Sequence, residues 1–202
     1  MTLPDRIALA THNPHKLREL ARICAAWPVV WVSVDNRDPA DFPDVDETGE
    51  TYLDNASLKA RAVATALGLP ALADDSGIEV DALGGRPGPR SARFAGEHAT
   101  DAENLRALIQ GIRGVPAGGR SARYRCVAAL ATPEGEVVNA EAVCEGTLRR
   151  NPAGSGGFGY DPIFVPVGWD LTMAELTDEQ KDRISHRGRA FRALLEILEG
   201  DP

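Results

Sequence analysis

The sequence predicts an α/β fold built on a mixed sheet, and three observations lead there. Short apolar runs alternate with segments that carry helix caps and a 3.6-residue apolar stripe, the pattern of α/β domains. One pair of longer runs flanks Pro133-Glu134-Gly135-Glu136, a hairpin signal that brings antiparallel strands into the sheet and argues against an all-parallel stack. The 202 residues, 43% hydrophobic and 26% charged, suit one full-sized globular domain, of two lobes at most, and exclude general disorder.

Residues 6–10 are a short aliphatic strand that ends in Thr11-His12-Asn13-Pro14. Asn caps helices and Pro suits the first helical position, so a helix opens there. Leu17, Leu20, Ala21 and Cys24 form its buried stripe, and it stops before Trp27-Pro28. Residues 29–34 give a second strand. Residues 35–49 are acidic and contain proline, a loop of about 15 residues, long enough to suspect of function. Thr51, with Asp54 three residues on, opens a long helix over residues 52–67 that Gly68 closes before Pro70. Residues 71–73 make a short buried strand running into Asp74-Asp75-Ser76-Gly77, followed by Ile78 to Val80 and a glycine-rich loop at 84–88. Thr100 with Glu103 opens a helix through Ile112. Residues 123–132 and 137–149 are the hairpin strands, a register that sets Cys126 opposite Cys144. A glycine-rich loop at 151–161 leads to a strand at 162–165. Thr177 with Gln180 caps a short helix through Arg183, and Ser185 caps the last one, striped by Phe191, Leu194, Leu195 and Leu198.

Composition narrows the function. Thirty acidic against 22 basic residues give a net charge of -8, which repels a long polyanion such as duplex DNA but leaves a small phosphorylated ligand open. No apolar stretch approaches the roughly 18 residues of a membrane span, and residues 1–6 carry Asp5 and Arg6 without a basic-then-apolar leader, so a cytoplasmic protein is expected. Cys24, Cys126 and Cys144 form no Cys-x-x-Cys pair and read as reduced core thiols. Lys16, Lys59 and Lys181 are the lysines of the sequence. A compact ammonium suits phosphate as a point charge, with a solvated surface group as the alternative.

Four segments carry candidate chemistry. Thr11-His12-Asn13-Pro14-His15-Lys16 is a strand-to-helix turn whose free N–H groups and positive dipole end suit an anion, with Lys16 beside it. It also reads as an ordinary cap with an incidental Lys, and its spacing is not that of a P-loop. Asp74-Asp75-Ser76-Gly77 lies at the end of an apolar strand, where α/β proteins place ligands. Two adjacent acids there call for a positive partner, and a divalent cation shared with Asp46-Glu47 and with substrate phosphates would provide it. A solvated acidic turn is the alternative, and strand alternation would aim only one of Asp74 and Asp75 at a ligand.

Gly154-Ser155-Gly156-Gly157-Phe158-Gly159-Tyr160-Asp161 contains Gly-x-Gly-x-x-Gly but precedes a strand instead of following one, so it is not a dinucleotide fingerprint. It reads as a loop in which Phe158 stacks on a base and Asp161 accepts from base or ribose, or as a connection without function. Lys181 with Ser185-His186-Arg187-Gly188 gathers three potentially cationic groups near a helix N-terminus, against the dipole preference. That implies an anionic or carbonyl-rich ligand, or else a surface charge cluster. His12, His15, His98 and His186 lack metal-ligand spacing, which argues against zinc.

Taken in order, Thr11-x-Asn13-x-x-Lys16, Glu47-Thr48-Gly49-x-Thr51-Tyr52-x-x-Asn55-Ala56, Ala73-Asp74-Asp75-Ser76-Gly77, Pro87-Gly88 with Ser91-Ala92-Arg93, Gly156-Gly157-Phe158-Gly159-Tyr160-Asp161-Pro162 and Ser185-His186-Arg187-Gly188 resemble the inosine/xanthosine triphosphate pyrophosphatases. The resemblance covers nearly the whole chain. It implies a single nucleotide pyrophosphatase domain over residues 1–202, a two-lobed fold with a central twisted mixed β-sheet flanked by helices, and an active-site cleft between the lobes. It also implies a homodimer that requires Mg²⁺ and has no nucleic-acid or membrane partner. The implied reaction cleaves ITP, dITP or XTP between the α and β phosphates, giving nucleoside monophosphate and pyrophosphate.

By position, Asp75 would be the general base and would share the metal with Asp46 and Glu47. Thr11, His12, Asn13, Pro14, His15, Lys16 and Ser76 would hold phosphates and sugar. Phe158, Gly159, Tyr160, Asp161, Lys181, His186 and Arg187 would recognise the base. The first acid of the 46/47 pair is commonly Glu in that family and is Asp46 here, which leaves open the side chain that reaches the metal. The chemistry agrees, because phosphoryl transfer needs positioning, charge neutralisation and a water activator but no covalent nucleophile. A pyrophosphatase of other modified nucleotides and a non-catalytic purine nucleotide sensor are the competing readings.

Overall fold

The computed structural model describes residues 3–200; Met1 and Thr2, part of the segment read for a leader, and Asp201 and Pro202 lie outside the described residues. β1 (Arg6–Leu9), α1 (Pro14–Ile23), β2 (Val30–Val32), α2 (Tyr52–Leu67), β3 (Ala71–Val80), α3 (Asp101–Gly111), β4 (Ser121–Ala131), β5 (Val137–Leu148), β6 (Phe164–Pro166), α4 (Asp178–Ile184) and α5 (His186–Glu199) follow in chain order, with short 3₁₀ turns between them. The strands form one six-stranded sheet in the order β2-β1-β3-β4-β5-β6. β1 pairs parallel with both β2 and β3, whereas β5 and β6 are antiparallel, so the sheet is mixed, as the hairpin signal requires.

The caps form where local chemistry places them. Asn13 accepts from the backbone N–H of His15 and Lys16, with Pro14 at the first helical position. Thr51 with Asp54, Thr100 with Glu103 and Thr177 with Gln180 each close a reciprocal capping box, satisfying donors that the first turn leaves orphaned. Gly68 ends α2 in the left-handed region at φ 61°, where a Cβ would be strained. The tight turn between β4 and β5 is closed by Thr132 N–H donating to the Glu136 carbonyl.

The chain divides into two compact units: Met1–Asp75, Cys126–Ala142 and Arg187–Pro202 form the first, and Ser76–Arg125 with Val143–His186 the second. In the first, Leu17 and Leu20 of α1, its C-cap Cys24, and Phe191, Leu194 and Leu198 of α5 pack with Ile7, Leu72 and Leu130 of the strands. α2 lays Ala60, Val63 and Ala64 against Ala8, Ala71 and Ala73, small residues that allow helix and sheet to approach closely. In the second, Ile78, Val80, Leu108, Ile112, Tyr124, Phe164 and Met173 share one core. Cys126 and Cys144, expected opposite each other, belong to different clusters, and all three cysteines are free thiols. Among the described residues no helix is long and apolar enough to cross a membrane.

One element departs from expectation. The acidic segment after residue 73 does not interrupt the strand, because β3 runs unbroken from Ala71 to Val80 with Asp74 and Asp75 only 2% and 4% exposed. Acids end a strand when they need water, and these two have cationic partners instead, the buried Arg187 with Lys16 for Asp74 and the half-buried Lys59 for Asp75.

Candidate active site

In the first unit, side chains converge on the two aspartates of β3. Pleating sends neighbouring side chains to opposite faces, and the partners differ accordingly. Asp74 Oδ2 accepts from Arg187 at 3.0 and 3.2 Å and lies 3.2 Å from Lys16 Nζ. Arg187, itself 2% exposed, also meets Glu19 of α1 at 2.5 Å. Burial opposes ionisation of Asp74, but the Arg187 guanidinium and the Lys16 and Lys59 ammonium groups hold its carboxyl far below the ordinary range. The Asp74 Oδ1 atom is buried without a hydrogen-bond partner.

Asp75 meets α2. Asn55 donates from Nδ2 to its Oδ2 at 3.1 Å, and Lys59 Nζ stands 3.5 Å from its Oδ1 and 2.5 Å from Glu47 Oε1. Asn55 and Lys59, four residues apart, occupy one helix face. Asn55 Oδ1 also accepts from the Gly49 N–H at 2.8 Å, so one buried amide ties the acidic loop to Asp75. A Cβ at Gly49 would come within 2.7 Å of that oxygen. Burial pushes the Asp75 carboxyl above its ordinary value; Lys59 and Lys16 oppose this and Glu47 adds to it. Lys59 is raised despite its own desolvation, by Asp75, Glu47 and Asp74.

Of the acidic pair, Glu47 is the member brought to Asp75 through Lys59, while Asp46 is exposed. The sequence left open which of the two acids reaches the centre, and Glu47 is the one that lies against Lys59. Among the described residues no three His, Cys, Asp or Glu groups gather as a ready-made metal cage. Two carboxylates bridged by an ammonium are nonetheless an oxygen donor set with a demand for positive charge, which suits a hard divalent cation that takes its remaining oxygens from water and ligand.

Thr11, Asn13, Pro14 and Lys16 form the capped turn that presents Lys16. His12 contacts Phe42 edge-on at 6.4 Å and His15 Nδ1 lies 3.0 Å from Arg18, so neither imidazole joins the carboxylates. Arg187, expected at the base, is instead the buried counter-charge of Asp74 and Glu19, because two desolvated carboxylates would otherwise be uncompensated.

In the second unit, the loop before β6 folds around a buried ion pair. Lys181 Nζ lies 2.7 Å from Asp161 Oδ2, with side chains 4% and 5% exposed. The Phe158 N–H donates to the same oxygen at 2.9 Å, and the Tyr124 hydroxyl donates to Oδ1 at 3.1 Å. Asp161 therefore organises the loop, where the sequence suggested a direct contact to base or ribose. Lys181 Nζ also sits 5.2 Å from the centre of the Phe158 ring, within cation–π range. A Cβ at Gly157, whose φ is +66°, would fall 2.0 Å from Asp161 Oδ2, so this position requires glycine. Tyr160 is buried and donates to the Ser91 carbonyl at 2.7 Å; the Gly159 N–H donates to Asp101 at 3.2 Å. Both anchor the loop. The His186 ring stacks on Tyr124 at 4.5 Å and 8°. Ser76 follows Asp75 on β3 and is half-buried.

Asn55 is legible only as a member of the family motif and Lys59 only as one of three lysines suited to phosphate; that they share one helix face at Asp75 emerges from the fold. Glu19 and Tyr124 left no such signal, since each looks like an ordinary member of an amphipathic element.

Fold and site together define a mixed-sheet α/β protein that sets ammonium groups beside buried carboxylates in one unit and an aromatic ring beside a buried ion pair in the other. The chain belongs to the Ham1 family, whose model matches residues 7–197. It is 50% identical over 193 residues to a dITP/XTP pyrophosphatase of Streptomyces coelicolor, covering 96% of each chain. Among solved structures it is similar to a HAM1 protein from Coxiella burnetii, with a TM-score of 0.85, 38% identity and coverage of 99% of this chain and 100% of that one. A nucleoside-triphosphatase / dITP/XTP pyrophosphatase from Mycobacterium abscessus is similar at a TM-score of 0.73 and 47% identity, over 94% of this chain and 98% of that one.

Proposed function

We propose that the protein hydrolyses the deaminated purine nucleoside triphosphates ITP, dITP and XTP to the nucleoside monophosphate and pyrophosphate. The observation that carries this reading is Asp75, a buried carboxylate held by Asn55 and Lys59 next to Glu47. Its carboxylate, fixed by the Asn55 amide, is the group placed to accept a proton from water. The names of the relatives in Streptomyces coelicolor and Mycobacterium abscessus support dITP and XTP among these substrates.

Asp75 takes the proton as water attacks the α phosphorus, and pyrophosphate leaves. Lys16 and Lys59 offset the charge of the phosphates, a role suited to compact ammonium groups. Glu47 and Asp75 are the residues that would hold Mg²⁺, which when bound supplies Lewis-acid charge neutralisation. Asp74 stays ionised beside Arg187 and keeps Lys16 in place. Lys181 and His186 are the donors for a 6-oxo purine that stacks against Phe158. Adenine presents an amine at that position and would leave such donors unpaired, which is a strong basis for rejection. The working form is a cytoplasmic homodimer.

The test is pyrophosphate release from ITP, XTP, GTP and ATP, with and without Mg²⁺. Fast, metal-dependent release from ITP and XTP and little from ATP is expected, with loss of at least a thousandfold in Asp75→Asn at unchanged circular dichroism, on the order of what a missing general base and metal ligand costs. Retained turnover in folded Asp75→Asn sinks the base assignment. Tight binding without pyrophosphate release would make the protein a nucleotide sensor.

A further inference from the structure

Tyr124 enters none of the roles above, yet it touches both halves of the proposed base site. It lies inside β4, 6% exposed. Its ring sits 4.5 Å from His186, nearly parallel, and 4.6 Å from Phe164 at 57°. Its hydroxyl donates to Asp161 Oδ1 at 3.1 Å. We infer that Tyr124 is a positioning residue for nucleobase recognition: the hydroxyl fixes the Asp161 carboxylate that orients Lys181 and the Phe158 backbone, while the ring backs His186. The inference rests on the base-site reading proposed above.

The physical argument begins with the carboxylate. Oδ2 of Asp161 is engaged by Lys181 at 2.7 Å and by the Phe158 N–H at 2.9 Å. Without the phenol, Oδ1 would be a desolvated acceptor in a residue 3% exposed, and leaving such a group unpaired is costly. Three donors from three segments pin the plane of the carboxylate, and with it the ammonium over the Phe158 ring. The donor to Oδ1 belongs to a strand interior and is held between two rings, so it is itself rigid. A base site whose donors are fixed in this way rejects the wrong exocyclic group through unpaired polar atoms, and that rejection weakens as the donors gain freedom.

Tyr124→Phe isolates the hydroxyl, since it keeps both ring contacts. Turnover of ITP, XTP and ATP, binding of IMP by calorimetry, inhibition by pyrophosphate and thermal melting would be measured for this variant and for wild type. Expected are a rise of roughly tenfold in KM for ITP and XTP and in Kd for IMP, the scale of one hydrogen bond to a charged group. The kcat should be nearly unchanged and the ITP-to-ATP ratio of kcat/KM should fall. The inhibition constant of pyrophosphate, which carries no base, should stay at its wild-type value.

Unchanged KM and IMP affinity overturn the inference. So does a joint rise in KM and in the pyrophosphate constant with a lowered melting temperature, because that pattern marks general structural damage. Wild-type protein that fails to turn over ITP and XTP overturns the reading of the function instead, and the two IMP affinities still decide the role of Tyr124.

Discussion

Adjacent carboxylates on one strand meet opposite electrostatics: Asp74 is held far below the ordinary range by Arg187, Lys16 and Lys59 despite its burial, and Asp75 is raised chiefly by burial. That contrast needs different partners on the two faces and no difference in residue type. A second residue with a consequence is Cys24, 1% exposed in the first core, where burial pushes the thiol from 9.0 up to about 12. The folded state keeps its proton where the unfolded chain has lost it. Its contribution is therefore fully present below pH 9 and declines as pH rises from about 9 to 12, by up to about 1.4 kcal/mol per unit. Urea unfolding at pH 8, 9 and 10 should show this slope in wild type and a shallower one in Cys24→Ala; equal slopes would rule out the thiol as the titrating group. The sequence marks Asp75 as an acid at the end of an apolar run, and the three lysines because they stand out among many arginines. It could not assign Arg187, whose partners Asp74 and Glu19 stand 113 and 168 positions away.

Among the elements, α2 carries the closest link between helix chemistry and the site. Its capping box fixes the first turn, and the next residues on that face are Asn55 and Lys59. Asn55 spends its amide on two partners, accepting from Gly49 and donating to Asp75. Asn55→Ala should therefore free the acidic loop and misorient the base together, with kcat for ITP reduced roughly tenfold to a hundredfold and the far-ultraviolet dichroism unchanged. Wild-type kcat in that variant would show that the amide is mere packing. The caps of α1, α2, α3 and α4 were legible because a cap is a local device, written within four residues. β3 was not, since Asp-Asp-Ser-Gly is turn chemistry locally and becomes strand only when distant cations neutralise it. The partners of Asp161 are illegible for the same reason: its donors come from Tyr124, Phe158 and Lys181, and only the nearest of them is close in sequence.

At the scale of the whole molecule, neither unit is a continuous stretch of chain; three segments make the first and two the second. Fold class was readable from the alternation of elements and the one hairpin, but this division was not, because it depends on which strands and helices close on each other. A protein truncated after residue 186 would lack most of α5 and with it Phe191, Leu194 and Leu198 of the first core, besides the guanidinium that neutralises Asp74. It should remain sensitive to protease and melt without a cooperative transition, and a sharp, wild-type-like transition would disprove the dependence. The ion pair of Asp74 with Arg187 also sets an order of events during synthesis. The strand that carries Asp74 is translated 113 residues before its counter-charge, so that carboxylate stays hydrated until Arg187 has emerged. The first unit thus cannot close around Asp74 until α5 arrives, and a chain stopped short of Arg187 leaves that carboxylate in water in place of a finished core.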